Sequence, residues 1–240
     1  MSNQPVVLIT GGARGIGRAC ADALAKDHHL IIGGRDEDVV RAACAQLPSA
    51  EPFVANLSDE DSTAAAVERL GATRLDGLVH SAGVSGGWTT PDSNRQKWRD
   101  MLEINVIAVS ELTRLMLPAL AAADGTVVMI NSGAGLLATG RGGHYPASKF
   151  ALTALTDVLR AELRPEGIRV CSVHPGRVDT DMQREMQAAQ NKPYDPLHHL
   201  RPESVAIAVR TALTASPEAT YETISIRPGP AATNREGGWV

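Results

Sequence analysis

The sequence predicts an α/β protein in which a mostly parallel sheet is covered by helices on both faces. Short apolar runs alternate with longer segments of helical periodicity along the whole chain, and this alternation is typical of strand–helix–strand crossovers. The chain has 240 residues, of which 43% are hydrophobic and 21% charged, an ordinary balance for one soluble α/β domain. A glycine-rich turn follows the first apolar run.

The seven predicted strands are short and rich in branched aliphatic residues. They cover residues 6–9, 30–32, 53–55, 75–79, 126–130, 170–173 and 223–226. Six predicted helices lie between them, at residues 18–27, 37–47, 60–70, 98–122, 147–163 and 203–213. In such a doubly wound sheet of about seven strands, ligands bind beyond the carboxyl ends of the strands.

We expect one domain, residues 1–240, with two distinct segments. Residues 178–201 lie between the sixth strand and the last helix, where a loop would form a substrate lid. Residues 229–240 are Gly-rich and are predicted to be a loose tail. Large apolar side chains that would line a substrate pocket are Trp88, Leu136, Leu137, Met182 and Met186.

Charge and cysteine content argue against several classes of protein. The chain has 23 basic and 27 acidic residues and eight aromatic residues, so a nucleic-acid partner is not expected. Its three cysteines are far apart, which predicts neither disulfides nor a zinc site, and no metal is expected. The first residues lack the features of a signal peptide, and no uncharged apolar stretch approaches the length of a bilayer span. We therefore expect a cytoplasmic protein without a membrane partner.

The turn after the first strand reads Thr-Gly-Gly-Ala-Arg-Gly-Ile-Gly at residues 10–17. Glycines let the backbone approach a pyrophosphate, and the following helix presents free N–H groups to it. The pattern is not G-x-G-x-x-G, because Cys20 stands where the third glycine would be. The turn therefore favours nucleotide binding, although a plain strand-to-helix turn is also compatible with it.

A second cluster predicts acid–base chemistry. Ser132 follows the fifth strand, and Tyr145 and Lys149 are four residues apart, on one face of a helix. A nearby ammonium would lower the phenol pKa from about 10, so that Tyr145 could exchange a proton with a substrate oxygen that Ser132 also contacts. By itself, such a pair also fits a half-buried tyrosine with a solvated lysine.

Taken together, these motifs resemble the short-chain dehydrogenase/reductase family over nearly the full chain. The resemblance implies a single Rossmann domain, a nicotinamide cofactor, hydride transfer between a ketone or aldehyde and a secondary alcohol, and a homodimer or homotetramer built on helices 98–122 and 147–163. Two positions depart from the family: Asn56 stands where Asp is usual, and Ser81 where Asn is usual. The matching residues are the turn 10–17, Asn56, Leu57, Ser81, Ala82, Gly83, Asn105, Ser132, Tyr145, Lys149, His174, Pro175, Gly176, Val178 and Thr180.

The resemblance also implies roles for the residues. Tyr145 would be the general acid/base, and Lys149 would lower its pKa and hold the nicotinamide ribose. Ser132 would orient the substrate oxygen, and Asn105 would hold a water that relays the proton. Val178 and Thr180 would hold the carboxamide of the cofactor. The other implied cofactor contacts are Gly11, Arg14, Gly15, Ile16, Gly17, Arg35, Asn56, Leu57, Ser81, Ala82, Gly83, Pro175 and Gly176.

The end of the second strand bears on the choice of cofactor. Gly34 occupies the tip, where an acid would select NAD, and Arg35 follows it. Arg14 and Arg35 together suit the 2′-phosphate of NADP, while Asp36 lies near the spacing of an NAD-binding acid. We expect NADP(H), with NAD(H) as the alternative. An alternative function is a dinucleotide-binding regulator without catalysis, and an epimerase or dehydratase is disfavoured by the chain length.

Overall fold

The structure is a computed structural model that describes residues 4–86, 89–138, 142–189, 191 and 193–230. Trp88 and residues 231–240 lie outside this part of the chain. The predicted packing of Trp88 in a substrate pocket and most of the predicted tail are therefore outside the described residues.

Seven parallel strands form one sheet, as the sequence predicts. The order is β3-β2-β1-β4-β5-β6-β7. Strands β2 and β3 are added on one side of β1 and strands β4 to β7 on the other, so the strand order reverses between β1 and β4. The strands are β1 (Val6–Thr10), β2 (His29–Gly34), β3 (Ala50–Val54), β4 (Gly77–His80), β5 (Thr126–Ile130), β6 (Arg169–Pro175) and β7 (Thr223–Ile226). The reversal is the point at which such sheets bind ligands.

Helices cover both faces of the sheet. They are α1 (Gly15–Leu24), α2 (Glu37–Cys44), α3 (Glu60–Leu70), α4 (Arg95–Leu102), α5 (Ala108–Ala121), α6 (His144–Leu163), α7 (Asp181–Ala189) and α8 (Pro202–Leu213). Two of them differ from the sequence prediction. The helix predicted at 98–122 is divided by a π-helical turn at Glu103–Ile107, and α7 lies inside the segment predicted to be a lid loop.

Alternate strand residues face opposite faces of the sheet and build two apolar cores. Val7 and Ile9 belong to one core and Leu8, between them, to the other. All residues of β4 and β5 are buried, which explains why these strands are continuous apolar runs rather than alternating ones.

The first and last long helices of the chain pack against each other. Cys20 and Leu24 of α1 share one core with Val205 and Val209 of α8. At the rim of this contact, Arg210 of α8 donates hydrogen bonds to the Ala23 carbonyl (3.1 Å) and to both oxygens of Asp27 (2.9 and 2.5 Å).

The continuous helical stretch Arg95–Ala121 is the one helix of the described residues that is long and apolar enough to cross a membrane by length and composition alone. In this structure 44% of its most apolar stretch is buried. Leu112, Met116 and Leu120 point into the core beneath the sheet. Their spacing of four residues forms the apolar face of a helix packed on a sheet.

Leu112→Ala should lower the free energy of unfolding by about 2–5 kcal/mol, because Leu112 is 0% exposed and its removal leaves a cavity. Val39→Ala on α2, whose side chain is exposed, is the matched control and should change it by less than about 1 kcal/mol. Urea unfolding followed by circular dichroism measures both. Equal losses in the two variants would contradict the placement of α5 in the core.

Candidate active site

The loops after β1 and β4 are joined at the carboxyl edge of the sheet. The Thr10 hydroxyl oxygen accepts hydrogen bonds from the backbone N–H groups of Ser81 and Ala82, both at 3.1 Å. Gly11 lies so close to Ala82 that a Cβ at Gly11 would be 3.1 Å from the Ala82 Cα. The predicted glycine turn and the segment 81–83 therefore form one rigid unit at the topological reversal.

The glycines of the turn are required by its geometry. Gly11 and Gly15 have φ angles of 64° and 55°, in the left-handed region that favours glycine. At Gly17 a Cβ would lie 2.3 Å from the Gly11 carbonyl oxygen. Helix α1 begins at Gly15 with no side-chain cap and no acidic residue in its first turn. Its first N–H groups are therefore open to an anion.

The end of β2 lies beside this turn. The Gly12 N–H donates to the Gly33 carbonyl at 3.1 Å, which brings Arg35 to the same edge as Arg14. Both arginines are exposed, and neither guanidinium forms an ion pair with a described residue. The Asp36 carboxylate caps α2 and accepts from the Val39 N–H at 3.1 Å.

Asn56 is held in its own turn. Its amide oxygen accepts from the Ser58 hydroxyl at 2.9 Å, and its backbone N–H donates to the Ser62 hydroxyl at 3.0 Å. Asn56 is exposed and follows β3, so it lies at the same edge of the sheet as the glycine turn, with Leu57 after it. The same amide oxygen also accepts from the Ser58 backbone N–H at 3.4 Å, so it has two donors within its own turn.

Strand β5 and helix α6 bring Ser132, Tyr145 and Lys149 together, as predicted. The Lys149 side chain is nine-tenths buried, with the residue only 6% exposed, and its Nζ donates to the Ile130 carbonyl at 3.0 Å. The same Nζ lies 5.9 Å from the centre of the Tyr145 ring. The Ser132 oxygen accepts from the Ala134 N–H at 3.1 Å, which leaves the hydroxyl proton free to be donated.

Burial shifts the pKa values of this cluster. It lowers the pKa of the Lys149 ammonium to about 8 and raises the pKa of the Tyr145 phenol, while a hydrogen bond with Ser132 acts in the opposite direction. The sequence prediction that Lys149 lowers the Tyr145 pKa is not met by the protein's own groups. Desolvation of the phenol is the largest influence on its pKa, and the Lys149 ammonium lies 5.9 Å from the centre of the ring.

Asn105 connects two parts of the site through its side chain. It is 1% exposed and lies in the π-helical turn. Its Oδ1 accepts from the Val84 N–H at 2.9 Å, and its Nδ2 donates to the Val84 carbonyl and the Ser148 hydroxyl, both at 3.0 Å. Since the amide is engaged with protein groups, Asn105 positions the residue next to Lys149. The even helical periodicity of the sequence gave no signal for the π-helical turn.

The ends of β6 and β7 contribute residues that the sequence analysis missed or left without a role. The Nδ1 of His174 lies 3.0 Å from the Ser132 carbonyl oxygen. Arg227, which follows β7, donates from Nη1 to the His174 carbonyl at 2.6 Å. The Gly176 N–H donates to the Ile226 carbonyl at 2.7 Å. Arg227 could have been found from its position in the sequence, since a polar residue directly after a parallel strand lies at the ligand-binding edge of the sheet.

The segment after β6 is ordered by contacts within itself. Val178 is buried and forms a parallel bridge with Leu200. The Asp179 carboxylate accepts hydrogen bonds from Tyr194 and from Arg184 (2.8 Å). Thr180 lies beside the glycine turn, because a Cβ at Gly15 would be 3.6 Å from its methyl group. Three of the side chains predicted to line an apolar pocket are exposed, namely Leu136, Leu137 and Met182.

A family model for short chain dehydrogenases matches residues 5–191. The chain therefore belongs to the short-chain dehydrogenase/reductase family, and it is an oxidoreductase whose family binds a nicotinamide dinucleotide and acts on small molecules. The resemblance predicted from the motifs is confirmed.

Individual relatives agree with this assignment. The chain is 31% identical to L-fucose dehydrogenase of Bos taurus over 78% of its own length and 71% of that protein. It superposes on an alcohol dehydrogenase of Thermococcus sibiricus complexed with 5-hydroxy-NADP with a TM-score of 0.84, at 25% identity, covering 94% of this chain and 97% of that one. A 3-oxoacyl-[acyl-carrier protein] reductase of Brucella melitensis with bound NAD gives 0.82, at 29% identity, covering 95% and 92%.

Proposed function

We propose that this protein is an NADP(H)-dependent oxidoreductase that interconverts a ketone or aldehyde and a secondary alcohol, with Tyr145 as the general acid/base. The observation that carries this proposal is the grouping of Tyr145 with the Ser132 hydroxyl and the buried Lys149 ammonium at the carboxyl edge of the sheet. A protein that only sensed a dinucleotide would have no use for a phenol in this setting.

The residues at this edge fit a nicotinamide dinucleotide. The Lys149 ammonium has three N–H donors and, among the described residues, one hydrogen-bonded acceptor, the Ile130 carbonyl. Further donors are therefore available for ribose hydroxyls. The open N-terminus of α1 and the glycines of its turn suit a pyrophosphate. When bound, the nicotinamide ring would supply or accept the hydride. Val178 and Thr180 would hold its carboxamide beside Pro175 and Gly176.

The remaining contacts proposed for the cofactor follow the same edge. The main chain near Gly11, Ala82 and Gly83 would border the adenosine half, with Ser81 at the end of β4. Ile16 and Leu57 are partly buried and would pack against the cofactor, and Asn56 would lie beside the adenosine half at the same edge of the sheet.

Proton transfer would pass through Tyr145. In the reductive direction its O–H gives a proton to the substrate oxygen, while the Ser132 hydroxyl donates a hydrogen bond to the same oxygen. The raised pKa of Tyr145 keeps the phenol protonated at neutral pH, the state that carbonyl reduction requires. A water near Asn105 would relay protons to Lys149, and the Asn105 amide itself is engaged with Val84 and Ser148.

Tyr145→Phe should lower turnover by at least about 10²–10⁴-fold, since it removes the proton donor and keeps the ring. The affinity for NADPH, titrated by fluorescence, should stay within about threefold of the parent, since the ring is retained. A panel of ketones and aldehydes with NADPH, followed by nicotinamide absorbance, supplies the substrate for this comparison. Normal cofactor binding together with near-parent turnover would show that Tyr145 is only structural.

Cofactor affinity should depend on the charge of Lys149. Its pKa of about 8 means that the ammonium is present below pH 8 and lost above it. The affinity for NADPH should therefore fall above pH 8, by up to about tenfold per pH unit. Lys149→Met should bind more weakly and without this dependence on pH. Lys26→Met, at an exposed position just after α1, should retain the dependence. A parent protein whose affinity is constant from pH 7 to 9.5 would contradict this role.

The choice of NADP(H) rests on Arg14 and Arg35, which lie beside the glycine turn and form no ion pair with the described residues. It also rests on Asp36, which is engaged as the cap of α2. Arg35→Ala should lower kcat/KM for NADPH about 10–100-fold, because one charge-assisted contact to the 2′-phosphate is lost. The value for NADH should be unchanged. Arg41→Ala, nearby on α2 and exposed, is the control. A parent enzyme that uses NADH equally well would point to Asp36 and NAD(H).

We further propose that the protein is a homodimer or homotetramer that associates through α5 and α6. Ile107, the residue before α5, is 53% exposed, and Val158 of α6 is 52% exposed. Phe150, Ala154 and Val158 are spaced by four residues and form an exposed stripe along α6. A stripe of this kind is covered when two copies pack helix against helix.

Light scattering at low micromolar concentration should give a multiple of the 25.3 kDa chain mass. Val158→Glu should shift the mass to a smaller species, because it introduces a charge into the apolar contact. Ile207→Glu on α8, where the side chain is 66% exposed, should leave the mass unchanged. A monomeric parent protein would exclude this interface.

A further inference from the structure

Arg227 lies between two loops of the active site. Its Nη2 would be 3.1 Å from a Cβ placed on Gly133, the residue next to Ser132. Its Cδ would be 3.3 Å from a Cβ placed on Gly176. Both neighbours are glycines, so neither of these two residues places a side chain between the guanidinium and Ser132.

One nitrogen of Arg227 holds the side chain in place. Its Nη1 donates to the carbonyl oxygens of His174 (2.6 Å) and Ile226 (3.0 Å). The Nε and Nη2 groups make no hydrogen bond with the described residues, and no carboxylate in that part of the chain pairs with this cation. The residue is exposed. A guanidinium oriented by its main-chain contacts, with one nitrogen pair left open, is suited to a carboxylate.

The charges around Arg227 also favour an anion. His174, which touches the Ser132 carbonyl, has its pKa lowered mainly by burial and further by the charges of Arg227 and Lys149. Asp157 is the acidic residue that raises the His174 pKa, and its contribution is the smallest of those acting on that pKa. The substrate end of the site therefore combines two cations with a neutral imidazole, which attracts negatively charged molecules.

We propose that Arg227 determines substrate specificity by binding a carboxylate, so that the substrates are oxo acids and the corresponding hydroxy acids. The proposal rests on the proposed function, because Ser132 must hold the substrate oxygen for Arg227 to receive the acid group. A contact that served only to join β6 and β7 would need the Nη1 bonds alone.

The test compares oxo acids with their methyl esters, which differ in charge at the acid group. A series with the oxo group two to six carbons from the acid covers the possible spans. The parent should have a kcat/KM at least about tenfold higher for the best acid than for its ester. Arg227→Gln should lower the value for the acid about 10–100-fold, mainly through KM, and leave the ester unchanged. Arg227→Lys should retain part of the preference. Arg164→Gln, an exposed arginine after α6, should behave as the parent.

Two outcomes would overturn the proposal. If Arg227→Gln lowers activity equally on acid and ester, Arg227 only supports the strand ends. If the parent has the same kcat/KM for reducing the oxo group of the esters as for that of the acids, the site does not select an anion.

A binding measurement separates this proposal from the proposed function. Should no compound turn over, calorimetric titration of hexanoate into the parent with NADP⁺ decides the matter. Binding that is lost in Arg227→Gln but kept in Arg164→Gln supports the proposal, and any other pattern rejects it.

Discussion

The Lys149 ammonium is buried beside the last residue of β5, where its hydrogen-bonded acceptor is the Ile130 carbonyl. Burying a charge is costly unless its surroundings compensate, so the elements around it are tightly specified. The Asn105 amide fixes Ser148, the preceding residue of α6, to the loop after β4. At Gly135 a Cβ would lie 2.7 Å from the Lys149 carbonyl oxygen. The site therefore depends on contacts that fix the position of the first turns of α6 relative to the ends of β4 and β5.

Much of the fold could be predicted from the sequence. Strands buried on both faces read as apolar runs, and all seven were located with their order of appearance along the chain. The interruption at Glu103–Ile107 could not be predicted, because Asn105 leaves the regular helix only through bonds to Val84 and Ser148, which are distant in the sequence. Helix α7 was missed because Met182 and Met186 were assigned to a substrate loop, although their spacing is helical.

The candidate site shows the same division. The sequence motifs identified Ser132, Tyr145 and Lys149 because strand ends and a four-residue spacing on a helix are local properties. The direction of the Tyr145 pKa was not predictable, since desolvation depends on how completely the folded chain surrounds the phenol. Arg227 was missed because it meets Gly133 and Gly176 only when β5, β6 and β7 lie side by side.

The packing of α1 on α8 has a consequence for the order in which the protein is made. Helix α1 carries the glycine turn at its start, and its apolar face packs on the sheet and also on Val205 and Val209, near the end of the described chain. During synthesis, the part of this face that contacts α8 stays uncovered until α8 has left the ribosome. Contacts between such distant parts of a chain close late, because the loop between them must first be ordered. The glycine turn proposed to bind the pyrophosphate is therefore synthesised early, but the helix that follows it is fully packed only when α8 is present. A nascent chain that stops before α8 exposes Cys20 and Leu24 to chaperones and proteases.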